Sequence, residues 1–216
     1  MSAVPPDYDS DPARFGGWQA AHDVHEVVAR LLVAEGLAPV LDLGCGRGRL
    51  RTHLTASSRW IGVDPSLTQL AEAPRPAACG AGEHLPVRSR SMAAVTALWV
   101  LYHLERPTDA ITEALRVLRP GGLFVACSSR RDDAPELMAP TAPTTFDAEE
   151  APNLVAEVFG DVEVQAWDEQ LVELADRDEV RAYLISHLAD PAGADSVATP
   201  LRLTKRGALV WARKAG

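Results

Sequence analysis

Apolar residues along this chain follow two alternating rhythms. From Phe15 to Glu35 the spacing is helical: Val24, Val27, Val28, Leu31 and Leu32 recur at steps of three and four, and Gly36 closes the run. Pro39-Val40-Leu41-Asp42-Leu43 is then a short apolar run stopping at Gly44, the pattern of a buried strand. Helical spacing returns from Gly48 to Leu54. Trp60-Ile61-Gly62-Val63 reads as a second strand closing on Asp64-Pro65, and Ser66 is placed to cap a helix running to Ala73. Ala77 to Gly80 is a short third strand and Met92 to Val100 a fourth. Pro107 opens a helix with Ile111, Leu115 and Leu118 inward that ends at Pro120-Gly121-Gly122, and Leu123 to Cys127 is a fifth strand. Such alternation implies parallel strand–helix–strand units. Residues 130–145 hold Pro135, Pro140 and Pro143 without periodicity and read as a loop, as do residues 190–200. A helix near 148–158, a strand at 161–167, a helix at 177–189 and a strand at 207–213 complete the pattern, the last strand lying antiparallel beside 161–167. No internal repeat is present.

Composition narrows the classes. A chain of 216 residues with 47% hydrophobic residues suits one α/β domain with one sizeable core. No apolar stretch reaches the roughly 18 residues of a membrane span. Met1 to Asp11 carries three Asp, two Pro and no apolar core, so it is not a signal peptide, and a cytoplasmic location is expected. Cys45, Cys79 and Cys127 are too scattered for a disulfide framework or a zinc knuckle. The net charge of −9 speaks against a nucleic-acid partner, because phosphate neutralisation usually supplies much of that affinity.

Chemistry concentrates after the first strand. In Asp42-Leu43-Gly44-Cys45-Gly46-Arg47-Gly48 a strand enters a glycine turn and then a helix, whose first N–H groups are free and carry a partial positive charge. Glycine allows unusual φ angles and lets a ligand approach the backbone. A dinucleotide fingerprint would place glycine at position 49, where Arg49 stands; Gly44, Gly46 and Gly48 instead suit a nucleoside with an amino-acid tail. Asp42 is positioned for an ammonium group. Asp64, at the carboxyl end of the second strand, is positioned to accept both hydroxyls of a ribose, or to serve a helix cap beside Ser66.

These segments, with Gly62-Val63-Asp64-Pro65-Ser66 and Glu113-Ala114-Leu115-Arg116-Val117-Leu118-Arg119-Pro120-Gly121-Gly122, resemble the class I methyltransferases, and among them the small-molecule "type 11" domain of the ubiquinone and menaquinone biosynthesis kind. The likeness runs from about Pro39 to Ser128. It implies a Rossmann-like, doubly wound α/β sheet of seven strands, mostly parallel with an antiparallel last strand. It implies one domain over 1–216, with a lid segment at 1–35, a cofactor core at 36–128 and a substrate-side half at 129–216. The cofactor would be S-adenosylmethionine, leaving as S-adenosylhomocysteine. Asp42, Gly44, Cys45, Gly46, Asp64, Pro65, Gly82, Glu83 and Trp99 would surround it. One departure stands out: the family often reads Asp-Ala-Glu-x-Leu-Pro after strand three, and here Ala81-Gly82-Glu83-His84-Leu85-Pro86 leaves Ala81 where an acid meets the adenine amino group. Glu83 or a backbone carbonyl would take that contact.

Methyl transfer asks mainly for positioning, with a base where a proton must leave. Just beyond strand four, His103 is the candidate base, or else a structural histidine before Glu105-Arg106-Pro107. Trp99 would wall the pocket, its face suited to a sulfonium. Arg14, Trp18, His22 and Tyr102 are candidates for the lid and acceptor side. His22, His25, Asp42, Glu83 and His84 lack metal-ligand spacing, so no metal is expected. The expected activity is methylation of O, N or C of a small metabolite, such as a natural product. A non-catalytic cofactor-binding subunit and an RNA methyltransferase are the alternatives. No membrane partner is expected, and the oligomeric state is left open.

Overall fold

The computed structural model describes residues 23–216. Strands β1 (Val40–Leu43), β2 (Trp60–Asp64), β3 (Ala77–Cys79), β4 (Met92–Leu98), β5 (Leu118–Ser129), β6 (Glu163–Leu174) and β7 (Leu201–Arg213) form one sheet in the order β3-β2-β1-β4-β5-β7-β6. The pairs β3–β2, β2–β1, β1–β4 and β4–β5 are parallel, whereas β7 runs antiparallel to both β5 and β6. This is the α/β, Rossmann-like sheet expected, with the last strand inserted between its neighbours.

Side-chain alternation along the strands builds two layers. Leu41, Leu43, Val63, Val95, Ala97, Phe124 and Ala126 face helices α4 (Pro107–Val117) and α5 (Ala151–Phe159). Val40, Trp60, Ala94, Leu98, Val125 and Cys127 face α1 (Val24–Ala34), α2 (Arg49–His53) and α3 (Leu67–Glu72). All seven residues of β4 are buried, as a central strand covered on both faces requires. Asp23 caps α1 by accepting the His25 N–H at 2.9 Å, and Ser66 caps α3 by accepting the Gln69 N–H at 3.1 Å.

Several boundaries differ from those expected. The helix opened by Pro107 ends at Val117, not at Pro120. Leu118 already pairs with Met92, and the register then jumps to Ala94–Leu123, so Arg119-Pro120-Gly121-Gly122 forms an irregularity inside the sheet. Leu118 is wholly buried in either arrangement, so its apolar spacing did not distinguish them. Strands β6 and β7 run beyond 167 and begin before 207. Their distal halves bury Val172, Leu174 and Leu203 against Val180, Tyr183 and Leu184 of α6 (Arg177–Ser186). The intervening Glu169, Gln170, Glu173 and Arg202 hide that alternation in the sequence. The stretch 190–200 contains a short 3₁₀ turn, Pro191–Ser196.

Candidate functional site

The glycine turn leaves β1 at the carboxyl edge of the sheet, where doubly wound folds gather their ligands. Gly44 has φ of 67°, and a Cβ there would lie 2.2 Å from Val100 Cγ2, so the turn is closed to any other residue. The N–H groups of Gly44 and Cys45 donate to the Val63 carbonyl at 2.8 and 3.2 Å. Asp64 then locks the turn: its Oδ2 accepts the Gly46 N–H at 2.8 Å and its Oδ1 the Ser66 N–H at 2.9 Å. Asp64 is only 2% exposed, and Pro65 beside it is exposed. The acid expected to meet a ribose thus also pins the glycine loop to the turn after β2, while Ser66 is the helix cap.

Asp42 lies one step back inside the sheet. Thr96 Oγ1 donates to its Oδ1 at 2.8 Å and Trp60 Nε1 to its Oδ2 at 3.3 Å. Burial pushes its pKa up to about 6 against these donors. The carboxylate foreseen as an ammonium partner is therefore held by β4 and β2. Burial, with Asp42 and Asp64 close by, pushes the Cys45 thiol up, so it remains a neutral turn residue despite preceding a helix. Over this layer, Asp23 accepts from His25 Nδ1 at 3.1 Å and from Arg49 Nε at 3.1 Å, and pairs with His53 Nε2 at 3.1 Å. Burial opposes ionisation of Asp23, but His25 and Arg49 outweigh it and hold the carboxyl well below its usual range. The start of α1 is thereby fastened to α2, directly after the glycine loop.

The segment after β3 supplies the third wall. Gly82 packs closely, since a Cβ there would meet Ala110 Cβ at 3.3 Å and Leu43 Cδ1 at 3.4 Å. Glu113 Oε2 accepts the Leu85 N–H at 2.9 Å, and Arg116 donates to the carbonyls of Leu85 at 3.1 Å and Val87 at 2.9 Å. Arg116 also pairs with Glu113 at 2.6 Å and holds that carboxyl below its ordinary range. This brace was not foreseen; its trace in the sequence is the three-residue step from Glu113 to Arg116. Within the braced segment Glu83 Oε2 is buried and has no hydrogen-bond partner among the described residues. A buried acceptor without a donor is costly and points to a missing partner. The residues fit an adenosyl cofactor on that observation: a glycine cradle clamped by Asp64, and one buried carboxylate oxygen still needing an N–H where Ala81 offers none.

Beyond β4, Trp99 is half-buried with φ of 59°, and its ring meets that of Trp167. Leu101–His103 forms a 3₁₀ turn in which the rings of Tyr102 and His103 lie 4.4 Å apart, both half-buried. The turn places His103 past the carboxyl edge, on the same side as the glycine loop. Arg14, Trp18 and His22, expected in the lid, lie outside the described residues. Among the described residues no three His, Cys, Asp or Glu side chains converge as a metal set, and no helix is long and apolar enough to cross a membrane. A cavity of about 390 Å³ lined by Pro39, Arg51, Arg59, Trp60 and Arg75 opens at the opposite, amino-terminal edge of the sheet and takes no part in this site.

Comparisons with known proteins agree with this geometry. Residues 41–126 match the family described as "Methyltransferase domain", of the type 11 kind. An uncharacterized methyltransferase of Mycobacteroides abscessus is 33% identical over 131 residues, covering 54% of this chain and 51% of that protein. The matched parts span 34% and 51% of the first two curated relatives, at most about half their length. Among solved structures, the [4+2]-cyclase SpnF has a TM-score of 0.65 at 18% identity, covering 97% of this chain and 95% of its own. A protein of Anabaena variabilis described as an antibiotic-biosynthesis methyltransferase has a TM-score of 0.62 at 16% identity, covering 91% of this chain and 99% of its own. At such identities the structural likeness is one of fold. The glycine-loop core thus matches the type 11 methyltransferase domain over residues 41–126, and the seven-stranded sheet around it has the Rossmann-like fold of the methyltransferase structures it resembles.

Proposed function

We propose that this chain transfers the methyl group of S-adenosylmethionine to O, N or C of a small-molecule acceptor, with a natural product as the finer expectation. The observation that carries this is Glu83 Oε2, a buried acceptor without a donor among the described residues, taken together with a glycine loop clamped by Asp64. Asp64 and the Gly44–Gly46 turn would hold the ribose and methionine portions, and Glu83 the adenine amino group. When bound, the cofactor supplies a methyl group already activated on a sulfonium. The chain's part is to hold the acceptor in line, exclude water, and take a proton where the acceptor is a hydroxyl or amine. His103 is the residue proposed for that proton. The acidic balance, −9, supports a small acceptor over a nucleic acid. Because the same fold serves a [4+2]-cyclase, the chemistry is tested directly rather than taken from the fold.

The experiment is calorimetry with S-adenosylhomocysteine, followed by turnover against a panel of phenols, amines and carboxylic acids. One cofactor site per chain and consumption of S-adenosylmethionine with some acceptor are expected. Binding without turnover across the panel would favour a non-methylating subunit, and submicromolar, salt-sensitive binding of total tRNA would favour an RNA substrate. In an active chain His103→Gln should lower turnover by about 10²-fold or more, keep cofactor affinity and remove a pH inflection near neutrality. Full turnover would leave positioning alone to carry the step.

A further inference from the structure

β4 ends at Leu98, and the next residue turns sharply. Trp99 has φ of 59°, a left-handed conformation that a bulky residue holds only under strain. What the turn achieves is placement. The Trp99 indole meets that of Trp167 edge to face, with ring centres 6.0 Å apart and planes at 74°. Trp167 has a prepared seat on the sheet. It pairs with Gly207 of β7, where a Cβ would lie 2.2 Å from Trp167 Cζ2 and 2.7 Å from Cε2. The indole occupies space that glycine alone leaves open. Gly207 also pairs with Ser129, two residues past the Leu98–Cys127 pair, so the two indoles stand at the carboxyl edge. Val100, the neighbour of Trp99, packs against Gly44 of the cofactor loop. Both indoles join the layer facing α1, and both keep part of their surface exposed.

Two indole planes near a right angle form a corner. We propose that this Trp99–Trp167 corner is the acceptor site and that the acceptor carries a planar aromatic ring, an assignment that rests on the methyltransferase function proposed above. A flat ring stacks on one indole and meets the edge of the other, the two geometries aromatic pairs favour. A saturated ring of equal size gains only from burial. Cations also bind indole faces, but Asp168, the carboxylate next to Trp167, is already paired with Arg206 at 3.0 Å, and choline serves as the competing probe.

The test uses 2-naphthol, cyclohexanol and choline as probes, titrated by calorimetry and saturation-transfer NMR into the chain with and without S-adenosylhomocysteine. Naphthol should bind roughly tenfold more tightly than either other probe. Trp167→Leu should abolish that preference, and Trp167→Phe, which keeps a ring and guards against a folding defect, should retain most of it. S-adenosylhomocysteine affinity should be unchanged in both variants. Equal binding of cyclohexanol or choline, or naphthol affinity indifferent to Trp167→Leu, would overturn the proposal. If S-adenosylhomocysteine itself does not bind, the methyltransferase function fails; the naphthol titration of the unloaded chain still decides the corner.

Discussion

At the scale of single residues the site is organised by carboxylates whose surroundings differ sharply. Asp64 serves two backbone N–H groups, so Asp64→Ala leaves the Gly46 N–H unanswered and takes away the proposed ribose contact. S-adenosylhomocysteine affinity should fall roughly tenfold or more, and the unliganded chain should lose about 1–3 kcal/mol; calorimetry and denaturant melts read the two separately, and unchanged affinity removes Asp64 from the site. Glu83 should behave oppositely in the free chain. Its buried oxygen has no donor among the described residues, so Glu83→Met should raise the melting temperature while weakening S-adenosylhomocysteine, the trade-off expected of a group kept for its ligand. A variant that loses both stability and affinity would make Glu83 structural. Asp42 gives a pH signature. Its folded pKa, about 6, lies above the ordinary carboxylate value of 3.8, so the folded state binds the extra proton between those limits. This contribution to stability is present below about pH 4 and is lost as pH rises through 6. Asp42→Asn should therefore melt increasingly above wild type from pH 4 to pH 7, by on the order of a few kcal/mol. A difference constant across that range would show that Asp42 is ionised throughout.

Among the elements, the β6–β7 ribbon extends past the central sheet and is fastened by one partly buried cluster. Lys205 Nζ pairs with Asp133 and donates to Tyr183 Oη at 2.8 Å, while Glu136 accepts the Thr204 N–H at 2.9 Å. Burial opposes the charge on Lys205, but Tyr183 and Asp133 outweigh it and raise its pKa. Lys205→Met leaves the Asp133 carboxylate without its cation, a change that costs up to about 3–5 kcal/mol in a fully buried pair and less here. Hydrogen exchange should speed up in 168–174, α6 and 201–206, with β1 and β4 still protected. Uniform loss of protection would mean that the ribbon and the central sheet unfold as one unit. The extent of this ribbon was illegible in the sequence because its charged outward positions break the apolar run. Where β4 reads as seven consecutive buried residues, no such ambiguity arises.

For the whole molecule, the parallel pairing of the first five strands follows from the alternation of strand and helix, and Asp64 reaches the glycine loop because β1 and β2 are parallel neighbours. The sequence by itself determined this much: the α/β class, the order of the elements, the turn at Gly44, and the acid at the end of β2. Those features are local, since periodicity assigns faces and glycine assigns turns. Tertiary structure alone decided the rest. It set β7 between β5 and β6, gave Asp42 its donors from Thr96 and Trp60, braced the segment around Glu83 with Glu113 and Arg116, and brought Trp167 to Trp99 over Gly207. Each of these depends on which distant groups share a desolvated space. Desolvation and partnership are properties of packing, and residue order does not record them.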